Sequence, residues 1–454
     1  MTKKLVSTIL SLVLLISVAG CNLFATSPDQ GSPDDVGIQS PSGRLELSIT
    51  STNTFVDSFG GYYIVGELRN TGDQPVSDIQ LNVTISDSGG GSLLRDDANN
   101  IVPALTISPH LYSLVPGEST SFSYYYDTSS GSPAAYDISV AGFQVSTITR
   151  PSLVVQHVQV VQDEFGTLYL SGELVNQNNQ WVNIHALSGA VLDGSNNVLT
   201  ADWTGTYTSM LAPASDQAGR NRTPFVIEMP VQGTDFSNWK VYYDSELVEA
   251  VTDYPIQVNL TNSYFDNFGD FHIVVTLINL YNQPLSTLAV AGLYDQNGVV
   301  LDADYNFIPL VLEPGVPVPF EFSYFGNVNF NQAEAERIYT HTVRVDPNYT
   351  TPPLRNYVVL ETANDQVQIN GSMMTISGTV VNTSVYNLSG ATVAVMIIDS
   401  QNNPVAMNYS FVYPESGVIA PGQSVPYQVP VFLDPYGDTT GFTFDTLVQG
   451  DVAE

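Results

Sequence analysis

Gly66-Glu67-Leu68-Arg69-Asn70 is the stretch that decides the fold, because the chain writes it four times. It returns as Gly172-Glu173-Leu174-Val175-Asn176, as Val275-Thr276-Leu277-Ile278-Asn279 and as Gly378-Thr379-Val380-Val381-Asn382. The asparagines are 106, 103 and 103 residues apart. Stepping back from each in twos gives one apolar face: Leu68/Ile64/Tyr62, Leu174/Leu170/Leu168, Leu277/Ile273/Phe271 and Val380/Ile376/Met374. A period of two over four matching segments is the signature of a half-buried β-strand.

An aspartate follows each asparagine at 17, 17, 16 and 17 residues: Asp87, Asp193, Asp295 and Asp399. A second alternating run leads into it, as in Leu81/Val83/Ile85, and Gly or Asn of tight-turn type comes after it. Pro116-Gly117, Pro314-Gly315 and Pro421-Gly422 then precede another alternating strand, and repeat two has Pro213-Ala214 in that place. The pattern predicts an all-β chain of four tandem immunoglobulin-like antiparallel β-sandwiches, at 44–150, 151–254, 255–353 and 354–454. The antibody-type cysteine pair and core tryptophan are absent, and no helical period is visible. Proline joints (Thr149-Arg150-Pro151, Asp253-Tyr254-Pro255, Thr351-Pro352-Pro353) predict a stiff, elongated end-to-end row. Each unit is of a size to close its own core. At the four asparagines, Asn70, Asn176, Asn279 and Asn382, a short amide is expected to bond nearby backbone or take a positive φ.

Composition narrows the function. The 454 residues carry 12 Lys+Arg against 45 Asp+Glu, a formal net charge of −33. Such a chain repels phosphate backbones, which excludes nucleic acid as a partner. Only 13% of residues are charged and 43% are apolar, so this is a folding chain and not an acidic tail. The single cysteine, Cys21, excludes a disulfide framework and a cysteine zinc site.

That cysteine ends the first segment. Lys3 and Lys4 precede an apolar run from Leu5 to Gly20, too short for a membrane span and built like a secretory signal peptide at 1–20. Val18-Ala19-Gly20-Cys21 resembles the bacterial lipobox. The resemblance implies cleavage before Cys21, acylation of that residue, and a protein held by lipid on the extracytoplasmic side of the cell envelope. Several acyl chains on one residue anchor stably. Residues 21–43, rich in Ser, Pro, Gly and Asp, are expected to be a disordered tether.

The repeats also suggest a family. Gly-x-φ-x-Asn, then φ-x-φ-x-Asp with a turn, then φ-x-Pro-Gly (φ being an apolar residue) resembles the FxLYD-type extracellular domains. Leu293-Tyr294-Asp295 matches the tail of the naming motif, with Ala291 in place of its phenylalanine. The resemblance implies a surface location and a sandwich shape, without a chemistry.

Candidate chemistry is sparse. His110, His157, His185, His272 and His341 are never within ten residues of one another, so a metal-binding H-E-x-x-H is impossible. No G-x-S-x-G elbow occurs. The turn aspartates, notably Asp295 with Asp302 and Asp304, could offer oxygen ligands to calcium but do not match the calcium-loop pattern. Capped turns are the simpler reading, and no cofactor or metal is expected. Exposed members of tyrosine runs such as Tyr124-Tyr125-Tyr126 could stack on sugars or a protein. The expected function is a non-catalytic, lipid-anchored binding or spacer ectodomain. The alternative is a carbohydrate- or peptide-binding module of an uptake or polymer-degrading system, and a hydrolase is the least favoured reading.

Overall fold

The computed structural model describes residues 43–454 except 164, 206, 217, 231–235, 330, 434–438, 440 and 454. Residues Gly43–Glu454 form one compact unit. It is all-β, with antiparallel sheets that recur in pairs along the chain. In repeat one a hairpin sheet holds Leu47–Val56, Gly61–Asn70 and Ser119–Asp127. Its partner sheet is centred on Val76–Ser86, flanked by Ala135–Val145 and by the short strands Leu105–Ile107 and Ser113–Leu114.

Repeat two builds the same pair. Leu153–Gln162, Leu168–Asn176 and Arg222–Met229 form its hairpin sheet. Trp181–Leu192 centres the partner sheet between Val198–Thr204 and Asn238–Val248. Repeat three follows with Ile256–Phe265, Phe271–Asn279 and Pro317–Phe322 over Leu288–Tyr294, Val300–Phe307 and Thr340–Val345. In repeat four the long strand Tyr357–Asn370 runs through both sheets and fuses them into one of six strands. The apolar faces point inward: Leu68, Ile64, Leu174, Leu170, Leu277, Ile273, Val380 and Ile376 are all fully buried.

The glycine four residues before the asparagine has a packing reason. Phe122 pairs with Gly66 across the ladder, and a Cβ on Gly66 would lie 2.3 Å from its ring. Phe225 covers Gly172 in the same way, where a Cβ would lie 2.7 Å from the ring. An aromatic ring laid over a strand glycine restores the contact that the missing side chain would make.

The sandwiches are joined by their faces, where the proline joints suggested an end-to-end row. The edge strand Val198–Thr204 of repeat two lies across all three hairpin strands of repeat one. Val300–Phe307 lies likewise on repeat two, and Pro404–Val412 on repeat three. Repeats two and four each close a core of their own, and two further clusters are shared across a boundary. Ala186, Ala190, Leu192, Ala201 and Tyr242 of repeat two pack into the core that holds Phe55, Val65 and Phe122 of repeat one. Ala394 and Met407 of repeat four enter the core of repeat three. A hairpin sheet covered on both sides has no solvent face, so all nine residues of Leu168–Asn176 are buried. Among the described residues no other repeat packs on the outward face of the first partner sheet, with Gln80, Asn82 and Thr84 on one strand and Asp137 and Ser139 on the next. A polar outer face is what the end of a stack needs.

Two short helices, Gly326–Asn329 and Gln332–Ala335, interrupt repeat three, where no helix was expected. They are too short to show a period. The local signal is the N-cap Asn331, whose side chain accepts from the backbone N–H of Glu334.

Candidate binding site

Each repeated asparagine is completely buried and staples three backbone segments. The Asn70 amide donates to the carbonyls of Gln74 (2.8 Å) and Leu114 (3.0 Å), and its Oδ1 accepts from Gly72 N–H (3.0 Å). Asn176 does this with Gln180, Leu211, Ala212 and Asn178. Asn279 does it with Gln283, Leu312 and Tyr281, and Asn382 with Tyr386, Ile419 and Ser384. None of the four has a positive φ. The amide does the work.

The repeated aspartates close tight turns. Asp87 Oδ1 accepts from Gly89 N–H (2.8 Å) and Gly91 N–H (2.9 Å). Asp193 accepts from Ser195 and Asn197, Asp295 from Asn297 and Val299, and Asp399 from Gln401 and Asn403. The residue that takes positive φ is Gly90, Asn196, Gly298 or Asn402. Asp295 also pairs with Arg337 at 3.1 Å. Asp302 accepts from the N–H groups of Ala303 and Val328 and Asp304 from that of Tyr305, so both carboxylates serve backbone donors. No group of three or more His, Cys, Asp or Glu able to hold a metal occurs among the described residues. Burial pushes Asp302 up to about 7 and, with the charge of Asp302 adding to it, Asp304 up to about 8.

A second aspartate turn, unremarked in the sequence, lies 13 residues before the asparagine in three repeats: Asp57-x-Phe59-Gly60, Asp163-x-Phe165-Gly166 and Asp266-x-Phe268-Gly269. Each aspartate accepts from the N–H two and four residues on, and each phenylalanine is exposed at the hairpin tip. The D-x-F-G spelling was legible.

The interfaces between repeats carry polar pins. Glu67 accepts from Lys240 Nζ (2.5 Å) and Tyr242 Oη (2.6 Å) of the next repeat and from Thr50 (3.0 Å). Burial pushes its carboxyl up, but these partners outweigh that and hold it below the ordinary range. Ser113 donates to Asp244 (2.7 Å), the backbone N–H of Ser209 to Asp346 (2.6 Å), and that of Val311 to Gln449 (2.7 Å). Arg150, in the first joint, is inserted between Glu118 (2.7 Å) and Asp244. The histidines are scattered. His110 sits between Ser121 and Ser123, driven down to about 4 by burial, while His272 stacks on Tyr264 beside Glu321.

A cleft lies beside the first joint, with a volume of about 650 Å³. Tyr112 and Ser113 of repeat one, Thr147–Thr149 of the joint and His185 with Asp244–Leu247 of repeat two line it. His185 Nε2 lies 3.2 Å from Glu246. Ser245 is 4% exposed, and its hydroxyl has no hydrogen-bond partner. Sequence spacing could not find this cleft, because its walls come from four separate segments. Cys21 and its neighbours Val18, Ala19 and Gly20 lie outside the described residues.

No protein-family model matches the chain, and no curated protein matches it. Among solved structures, the native conformation of E. coli alpha-2-macroglobulin aligns at 10% identity and a TM-score of 0.12, over 89% of this chain and 28% of that one. The chain thus spans under a third of that protein's length, and a likeness of this degree carries no argument.

Proposed function

We propose that the chain is a non-catalytic, lipid-anchored ectodomain of the cell envelope that works as a binding and spacer body. The observation that carries this reading is where the polar chemistry goes. The repeated asparagines, the turn aspartates and the interface pins each spend their hydrogen-bonding capacity on backbone or on the next repeat. Such a chain invests in a fixed surface, and the lipobox-like Val18-Ala19-Gly20-Cys21 supplies the address. The FxLYD-type resemblance belongs to the same reading. Cell fractionation tests it: Cys21→Ser is expected to move the protein from the membrane fraction to soluble or unprocessed forms. Unchanged partitioning would overturn the anchor.

The runner-up, a peptide- or carbohydrate-binding module, is favoured by the cleft at the first joint, whose volume falls in the range of ligand sites.

A further inference from the structure

Repeat four shows what the edge of a partner sheet can accept. The incoming segment Tyr357–Leu360 adds itself as a strand to Thr443–Val452, pairing Tyr357 with Asp451, Val358 with Gly450, Val359 with Gln449 and Leu360 with Val448. Counted from the turn aspartates and the ladder register, residues 448–451 of repeat four correspond to 243–246 of repeat two. In repeat two that added strand is missing. Tyr357 lies 25 residues before Asn382, and the residue 25 before Asn176 is Pro151. Proline has no N–H to donate to a ladder, which makes Pro151 a poorer start for such a strand than Tyr357. Among the described residues Asn238–Val248 pairs with Trp181–Leu192 alone and ends the sheet as an open edge.

The cleft lies at this edge. Four consecutive residues, Asp244–Leu247, line it, so it meets both faces of the strand and the backbone between them. Ser245, whose buried hydroxyl has no hydrogen-bond partner, is one of these lining residues. We propose that this cleft binds an extended peptide as an added β-strand, and that the peptide carries basic side chains. Strand addition to a free edge takes its affinity from main-chain hydrogen bonds and its specificity from pockets for alternate side chains. Charge sets the class: Glu246 is exposed beside the cleft, and the chain as a whole carries −33. The exposed ring of Tyr112, which also lines the cleft, offers a face for an arginine or lysine. The chain's own residues 22–43 hold three aspartates and no lysine or arginine, which makes them poor occupants.

This site deepens the binding half of the function proposed above, and it is tested apart from the anchor. The protein from Asn22 onward, which contains the whole described fold, is titrated with a fluorescent nonapeptide of alternating Lys and Thr. Three controls accompany it: a Glu/Thr counterpart, the Lys peptide with proline at alternate positions, and a soluble oligosaccharide. Saturable binding of the Lys peptide is expected, at least tenfold tighter than the Glu or proline forms. Amides of Asn238–Val248 should gain hydrogen-exchange protection on binding. Glu246→Lys, at an exposed side chain, should weaken binding at least tenfold with an unchanged melting temperature. Absence of binding, equal binding by the proline form, protection gained elsewhere only, or binding of the oligosaccharide alone would each overturn the proposal. Fractionation of Cys21→Ser is independent of all these outcomes.

Discussion

Asn53 donates a 3.0 Å hydrogen bond to the carbonyl of Leu199, across the boundary between repeats one and two. Asn262 makes the same bond to Val405 at 2.8 Å, across the boundary between repeats three and four. Each donor lies four residues before its hairpin aspartate (Asp57, Asp266), and each acceptor six residues after its turn aspartate (Asp193, Asp399). The interface is therefore repeated along with the sandwich. Stability in such an array is a sum of repeat terms and nearest-neighbour terms, and the interface residues are where the second kind can be measured.

Asn176 tests the repeat term. Its amide holds the carbonyls of Gln180, Leu211 and Ala212 in a site that water does not reach. Asn176→Leu strands these groups, at about 1–3 kcal/mol for a buried polar group left unpaired. The urea midpoint should fall accordingly, and an unchanged midpoint would mean the staple is incidental.

Glu67 and Lys240 test the neighbour term. Lys240→Met leaves the buried Glu67 carboxylate with only its hydroxyl partners, Tyr242 and Thr50. Lys240 is itself 40% exposed, so solvent screening keeps the expected cost to about 1–2 kcal/mol. Adding Glu67→Gln removes the unpaired charge and should recover part of the loss. A double-mutant cycle with no coupling would show that the pair does not hold the repeats together.

The buried acids set a pH dependence. Asp302 and Asp304 titrate in the folded protein at about 7 and about 8, above the ordinary carboxylate value of 3.8. The folded state thus holds protons that the unfolded chain has released. Their contribution is complete below pH ~4 and is lost as pH rises through 7 and 8. His110, pushed down by burial, acts in the opposite sense, and only below its ordinary value. Melting should therefore occur at a higher temperature at pH 6 than at pH 8.5, and Asp304→Asn should narrow that difference. An unaltered difference in the variant would clear Asp304 of the role.

Within a repeat, much of this was legible from residue types alone. Leu68, Ile64 and the turn after Asp87 follow from period two and from Gly and Asn placement, which local backbone geometry enforces. The stacking was not legible, because the face that becomes an interface looks like a solvent face. Glu67, Glu173 and Thr276 alternate with the core residues as exposed polar residues would, yet all three are buried by a neighbour or by partners across the sheet. The added strand in repeat four was equally hidden. Proline is no sufficient mark of it: repeat two has Pro151 at the place of Tyr357 and repeat three has Pro255 one residue on, but repeat one has Leu45 there and, among the described residues, adds no strand either.

Shared cores make the last prediction. Ala394, Met407, Tyr409 and Leu447 of repeat four pack into the cluster that holds Phe271, Val274, Leu277 and Phe322 of repeat three. The backbone N–H of Met407 donates to Glu321 (3.0 Å), and the Gln449 side chain bonds Val311 in both directions (2.7 Å each). A chain ending at residue 353 would keep every strand of repeat three but lose this cover. At roughly 1–3 kcal/mol per large apolar side chain returned to water, several kcal/mol of neighbour stabilisation would go. Hydrogen exchange should register the loss as weaker protection in Phe271–Asn279, and protection in Gly61–Asn70, two interfaces away, should hold. Repeats that closed their own cores would show no change in repeat three, and that result would separate independent beads from the stack.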